Sequence, residues 1–198
     1  MSNATPLRGG TDGDAIKWLY LAAAAVGPLG LAFLAPSLAL RVVRVSFVAS
    51  CCVGVWWVRD TWSAVPAPHS DREGIEGISP GGAVWRFVVP FYGLYWSFRA
   101  HVALCRAMNI SLDRLRMPMR AHSALAIAAM IATTLALRGM RLGLVTSSAG
   151  MVALTWLAYG LWFGYMVQVD AARRIMILAL RAERATMEEK RASLPARS

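Results

Sequence analysis

Two tracts of this chain run without a charged side chain for longer than most soluble helices do: residues 18–40, 23 in length, and residues 143–169, 27 in length. An α-helix rises about 1.5 Å per residue, so about 20 apolar residues cross a hydrocarbon core of roughly 30 Å. Each tract meets that length by itself. Of the 198 residues, 57% are hydrophobic and only 16% charged, an apolar excess that a soluble domain of this size would struggle to bury. The expected solvent is a bilayer. A cleaved leader is not expected, because the first tract exceeds a signal-peptide apolar core and more apolar tracts follow it.

Residues 1–14 are polar and glycine-containing and read as a flexible tail. A first span is expected over 16–35, with Lys17, Trp18 and Tyr20 at interfacial depth and Pro28, within GPLG, free to kink the helix. Pro36 and Ser37 mark a hairpin. A second span over 38–58 carries Arg41 and Arg44 near its start, three residues apart and so on one helical face, where their long side chains can snorkel to headgroups. Residues 59–80 are polar and proline-containing, a loop too short for an enzymatic domain. A third span is expected over 121–137, bounded by Arg120 on one side and by Arg138 and Arg141 on the other. The short RGMR link returns a fourth span, 143–169, antiparallel to it.

Trp156, Tyr159, Trp162 and Tyr165 fall toward the end of the fourth span, where amphipathic rings meet headgroups. Ala149, Ala153, Gly160 and Gly164 give it a surface of small residues suited to helix–helix contact. Past Val169 an amphipathic cytoplasmic helix is expected over 170–192, followed by a tail, 193–198. Ile175, Leu178, Ala182 and Ala185 form an apolar seam in it at 3,4,3 spacing, flanked by Arg173, Arg174, Arg181 and Arg184. That seam fits association with another helix or an interfacial position beside anionic lipid.

Segment 84–103 divides two topologies. Only 12 uncharged residues separate Arg86 from Arg99, and Pro90 and Gly93 weaken a regular helix early in the run. The expected fold is therefore all-α: a polytopic membrane helical bundle of four spans plus one re-entrant or interfacial aromatic helix, with five spans as the alternative. Residues 104–120 hold four arginines against one aspartate, and residues 170–198 seven basic groups against four acidic ones. Both segments are net +3 and are expected in the cytoplasm, which puts the C-terminus inside a bacterial inner membrane.

Ser79, Pro80, Gly81, Ala83, Val84, Pro90, Phe91, Leu94, Tyr95, Trp96, Phe98 and Asn109 follow one another at a spacing that resembles a module of uncharacterised multispan bacterial membrane proteins. Gly93 stands where that module often has Asn, and Gly82 where it often has Lys. The resemblance covers residues 78–109 and implies a recurring membrane element with no attached activity.

On a helix, Tyr92, Tyr95 or Trp96, Arg99 and Arg106 approach one face and, with Arg41 and Arg44, are candidate contacts for lipid headgroups or another anion. Anchoring an interface-parallel element explains the same residues. No HExxH, CxxC or phosphate-loop motif occurs. His69, His101 and His122 are far apart in sequence, and Cys51, Cys52 and Cys105 have no ligand spacing, so neither metal nor cofactor is expected. Asp60, Asp71, Glu73, Glu76, Asp113 and Asp170 all read as flanking or linking the apolar tracts, which disfavours a carboxylate relay. The net charge of +10 is spread between apolar tracts instead of forming a basic domain. Anionic lipid is therefore expected as partner in place of nucleic acid, together with self-association or a larger membrane complex. The expected role is a non-enzymatic inner-membrane accessory or scaffold protein. A homo-oligomeric, anion-conducting channel is the alternative, and a membrane enzyme acting on lipid, with 92–106 at the headgroup plane, is a third reading.

Overall fold

The computed structural model describes residues 12–34, 36–66, 86–88, 92–142 and 148–193; within these, some residues, Pro28, Tyr92, Leu94 and Arg141 among them, are described by backbone alone. The tail 1–11, most of the loop and aromatic segment between 67 and 91, the link 143–147 and the tail 194–198 lie outside the described residues. Among the described residues the chain forms five α-helices: α1 Asp12–Phe33, α2 Pro36–Ala64, α3 Tyr92–Arg114, α4 Ala124–Leu142 and α5 Ser148–Ala192. A single 3-10 turn, Arg86–Val88, precedes α3. The stretches Arg41–Ala64 and Val152–Ala192 are long and apolar enough to cross a membrane by length and composition, and Ala15–Gly27 and Ala124–Ala136 are shorter apolar helices.

Helices α1 and α2 form a hairpin whose turn lies at Leu34, and Pro36 opens α2 at a position where its missing N–H costs nothing. Close approach is possible because the GPLG of α1 turns its glycines toward α2. A Cβ on Gly30 would stand 2.7 Å from Val42 Cγ1, and one on Gly27 2.9 Å from Ser46 Oγ. Ser46 also ties α2 to the backbone just before Pro28. Gly27 N–H donates to Ser46 Oγ at 3.0 Å, and Ser46 Oγ donates to the Ala23 carbonyl at 2.5 Å. Gly27 N–H and Ala23 C=O are four residues apart on α1, so one hydroxyl of α2 engages both.

Helices α4 and α5 pack as a second hairpin. Ala126, Ala129 and Ala136 are buried on α4, small side chains that let the axes approach. Trp162 Nε1 of α5 donates to Thr133 Oγ1 of α4 at 3.1 Å.

Helix α3 differs from the expected element in its bounds: it starts at Tyr92 and continues to Arg114, well past 103. The reason is periodicity. Trp96, Ala100, Leu104, Ala107, Met108 and Leu112 are buried along one face, while Tyr95, Arg99, Val102 and Arg106 are exposed on the other, so the arginines do not interrupt the helix. Met117 N–H bonds to Leu112 O and Arg116 N–H to Asp113 O, a Schellman ending with Arg116 in the left-handed region at φ 55°. Asn109 then clamps the return loop, donating to Ala121 O at 2.9 Å and accepting from Ala121 N–H at 2.7 Å.

Helix α5 is continuous through the junction at Val169 and Asp170, 45 residues or about 67 Å long. Its buried face runs through Tyr165, Val169, Ala172, Arg173, Met176 and Ile177, and every residue from 181 to 193 is exposed. The N-terminal hairpin meets α5 near Lys17 of α1 and Trp57 of α2, which both reach Asp170. Helix α3 meets α5 at His101, opposite Tyr165, and again at Arg114, opposite Glu183.

Candidate functional site

Where α1, α2, α3 and α5 converge, the core is polar. Lys17 Nζ lies 2.9 Å from Asp170 Oδ2, and Trp57 Nε1 donates to Asp170 Oδ1 at 3.4 Å. One turn further along α5, Arg173 Nη1 donates to Asp60 Oδ2 at 2.5 Å. Asp170 and Arg173 are 3% and 5% exposed, so two oppositely charged pairs are withdrawn from water within one turn. Burial of that kind is tolerable because each charge has a partner. Apolar length alone puts Asp170 at the edge of a tract; the structure puts it inside the bundle. A signal for this exists. Lys17 just precedes the first tract and Asp170 just follows the last, and α1 and α5 run antiparallel, so the two fall at the same depth.

Beside the charged pairs lies an aromatic cluster centred on Tyr165. Its ring meets Trp57 edge-on with centroids 5.6 Å apart and His101 at 5.2 Å. His101 Nδ1 and Tyr165 Oη are 3.2 Å apart and share a hydrogen bond whose direction follows the imidazole tautomer. Cys105 Sγ lies 3.7 Å from the same hydroxyl. Phe87 and Trp162 complete the enclosure of His101. Burial alone pushes the His101 pKa down to about 4, so the ring is neutral at neutral pH. Burial raises that of the Cys105 thiol, opposed by its hydrogen bond to Tyr165, and keeps the thiol protonated. A neutral imidazole, a protonated thiol and a phenol thus meet in one buried cluster. His101 and Cys105, four apart, share a face of α3, but no spacing in the sequence connects them to Tyr165. Among the described residues no group of three His, Cys, Asp or Glu side chains is arranged to hold a metal ion.

The residues singled out from the sequence divide between environments. Arg41, Arg44, Arg99 and Arg106 are exposed, and Tyr95 is exposed with its hydroxyl accepting from Arg99 Nη1 at 3.2 Å. Trp96 lies on the opposite face, 2% exposed, with the Arg86 guanidinium 4.6 Å above its ring. Tyr92 lies on α3, its side chain outside the described residues. Arg41 and Arg44 belong to the hairpin-tip end of the bundle and Arg99 and Arg106 to the other, so the structure does not bring these groups into one site. Ala149, Ala153 and Gly160 of α5 face outward, and at both Gly160 and Gly164 the space that a Cβ would enter is open to 4 Å. In the seam, Ile175 is half-buried against the core while Leu178, Ala182 and Ala185 are exposed.

No protein-family model matches the chain, and neither curated proteins nor solved structures give a significant match.

Proposed function

We propose that the chain is a four-span bacterial inner-membrane protein with a non-enzymatic scaffold role, in contact with anionic lipid and associating with other chains through its outward small-residue stripe and its projecting C-terminal helix. Its coarser basis is a helical protein with apolar helices suited to a bilayer. The observation that carries the span count is the position of α3 beside α5. His101 and Cys105 face Tyr165, still within the apolar tract 143–169, and Arg114 faces Glu183, so the first part of α3 lies beside the end of that tract and the rest along the charged part of α5. Residues 92–105, about 21 Å of helix, fall short of a crossing, and Phe87 and Arg86 already lie back against His101 and Trp96. The same placement gathers the two net +3 segments, 104–120 and 170–198, toward one end, as a shared cytoplasmic side requires.

The scaffold role is supported by two features. The buried charges pair with each other and with Trp57, so among the described residues no unpaired acid stands in the polar core. Residues 184–193 extend α5 past its Arg114–Glu183 contact with α3, with every side chain exposed. An arginine-lined anion pore would need Arg41, Arg44 and Arg99 around one axis at one depth, and their distribution over opposite ends argues against it.

Topology is tested with single cysteines in place of Leu34, Ser63 and Pro118, after replacing Cys51, Cys52 and Cys105. Labelling of 63 and 118 from the cytoplasmic side and of 34 from the other is expected; 63 and 118 on opposite sides would establish five spans. The scaffold role is tested by the mass of the gently solubilised particle, full length and truncated after Leu180. A self-assembled full chain and a smaller truncated particle are expected, and a strictly monomeric full chain without a co-purifying protein overturns the role.

A further inference from the structure

The outward face of α2 is a stripe with cations at both ends. Arg41 and Arg44 lie on it near the hairpin tip, Val45 and Val48 follow, and Trp56 and Arg59 close it at the end where α2 meets Asp170; all six are exposed. At 1.5 Å per residue Arg41 and Arg59 are about 27 Å apart along the axis, close to the thickness of a hydrocarbon core. Arg44, one turn further in than Arg41, stands about 22 Å from Arg59, so both tip-end arginines reach into the margin of one leaflet.

Cations at that depth need a counter-charge, since an arginine facing lipid is costly unless it reaches an anion. The described acidic side chains do not supply one. Asp60, Asp113, Asp170 and Glu183 are engaged at the far end of the bundle with Arg173, Arg120, Lys17 and Arg114, and Glu188 and Glu189 lie beyond them on the projecting part of α5. Arg41 and Arg44, three apart on an outward face, can converge on one phosphate with the geometry that guanidinium groups favour.

We infer that Arg41 and Arg44 form a site for the phosphate of one anionic glycerophospholipid in the leaflet at the hairpin tip, its acyl chains lying over Val45 and Val48. This rests on the membrane-spanning reading given above. Specificity comes from charge: two guanidiniums set against one headgroup favour a lipid of net negative charge over a zwitterionic one. Arg59, exposed at the other end of the same stripe with no arginine three or four residues away on α2, is the internal comparison.

The experiment is competitive lipid retention. The full chain is reconstituted in nanodiscs of mixed phosphatidylglycerol and phosphatidylcholine, extracted into mild detergent, and the lipid kept by each particle is read by native mass spectrometry. Wild type is expected to retain phosphatidylglycerol preferentially. The preference should fall about fivefold in R44Q and about 25- to 30-fold in R41Q/R44Q, at roughly one surface-charge contact per arginine, with R41K/R44K keeping most of it. R59Q should leave it within about twofold of wild type. Unchanged preference in R41Q/R44Q, or an equal loss in R59Q and R44Q, overturns the site. Membrane extraction of each variant with alkaline carbonate separates this from failure of the underlying reading: release of the wild-type chain removes the spans themselves, whereas loss of lipid selectivity in a retained protein concerns the site alone.

Discussion

Arg116 holds a φ of 55°, a conformation in which an L side chain crowds its own backbone and which helix endings ordinarily give to glycine. The two hydrogen bonds that define the ending, from Met117 and Arg116 to Leu112 and Asp113, use backbone alone. Arg116→Gly therefore keeps them and removes the strain, and should raise stability by about 1 kcal/mol in thermal unfolding; a loss would mean that the exposed guanidinium makes a contact outweighing the strain. His101 gives a pH-dependent counterpart. Its pKa is about 4 when folded, against about 6.5 for a free imidazole, so between those values the unfolded chain binds more protons. Stability is then fully present above about pH 6.5 and falls as pH drops toward 4, by at most about 3 kcal/mol. His101→Gln should flatten that part of the profile, and an identical slope in both proteins would exclude His101 as its source. At this scale the sequence is partly legible. The outward positions of Arg41, Arg44, Arg99 and Arg106 follow from helical spacing and the cost of burying charge. The enclosure of His101 by Phe87, Trp162 and Tyr165 depends on three separate elements meeting, and no local pattern encodes it.

Among the elements, the hairpin at Pro36 is readable because proline can open a helix whatever surrounds it. What ties its two helices together is not, since Ser46 lies 19 residues from Gly27 and becomes its partner only when α2 folds back. Ser46→Ala would leave Gly27 N–H and Ala23 C=O buried without that bridge. It should cost about 1–3 kcal/mol, whereas Ser46→Thr, which retains the hydroxyl, should cost less; equal losses would point to packing against Gly27 as the dominant contribution. The bounds of α3 escape a search for apolar length, which stops at charges, whereas the helix continues wherever one face stays apolar. In α5 the association seam Ile175, Leu178, Ala182 and Ala185 is legible because it avoids every charge, but the face that packs within the bundle includes Asp170 and Arg173, which are admissible only because α1 and α2 bring Lys17 and Asp60 to meet them.

Among the described residues the molecule is two hairpins joined mainly through α1 and α5, with α3 laid against the latter from Tyr165, inside the apolar tract, to Glu183 in its charged part. The Tyr20–Tyr159 and Trp18–Phe163 ring contacts sit above the junction, and the Lys17–Asp170 and Asp60–Arg173 pairs close it. If this polar junction fixes how the hairpins dock, its charges must act as a pair. Lys17→Met alone leaves Asp170 with only the Trp57 donor, and Asp170→Asn alone leaves Lys17 without its carboxylate, so each should cost about 3–5 kcal/mol. The double variant removes both charges while the introduced amide oxygen would still accept from Trp57, and it should be less destabilised than the sum of the two by at least about 2 kcal/mol. Reversible unfolding of all four proteins in the same micelles measures that coupling. Strict additivity would show that Lys17 and Asp170 are stabilised by separate surroundings, and the docking of the N-terminal hairpin would then have to be assigned to the ring contacts above them.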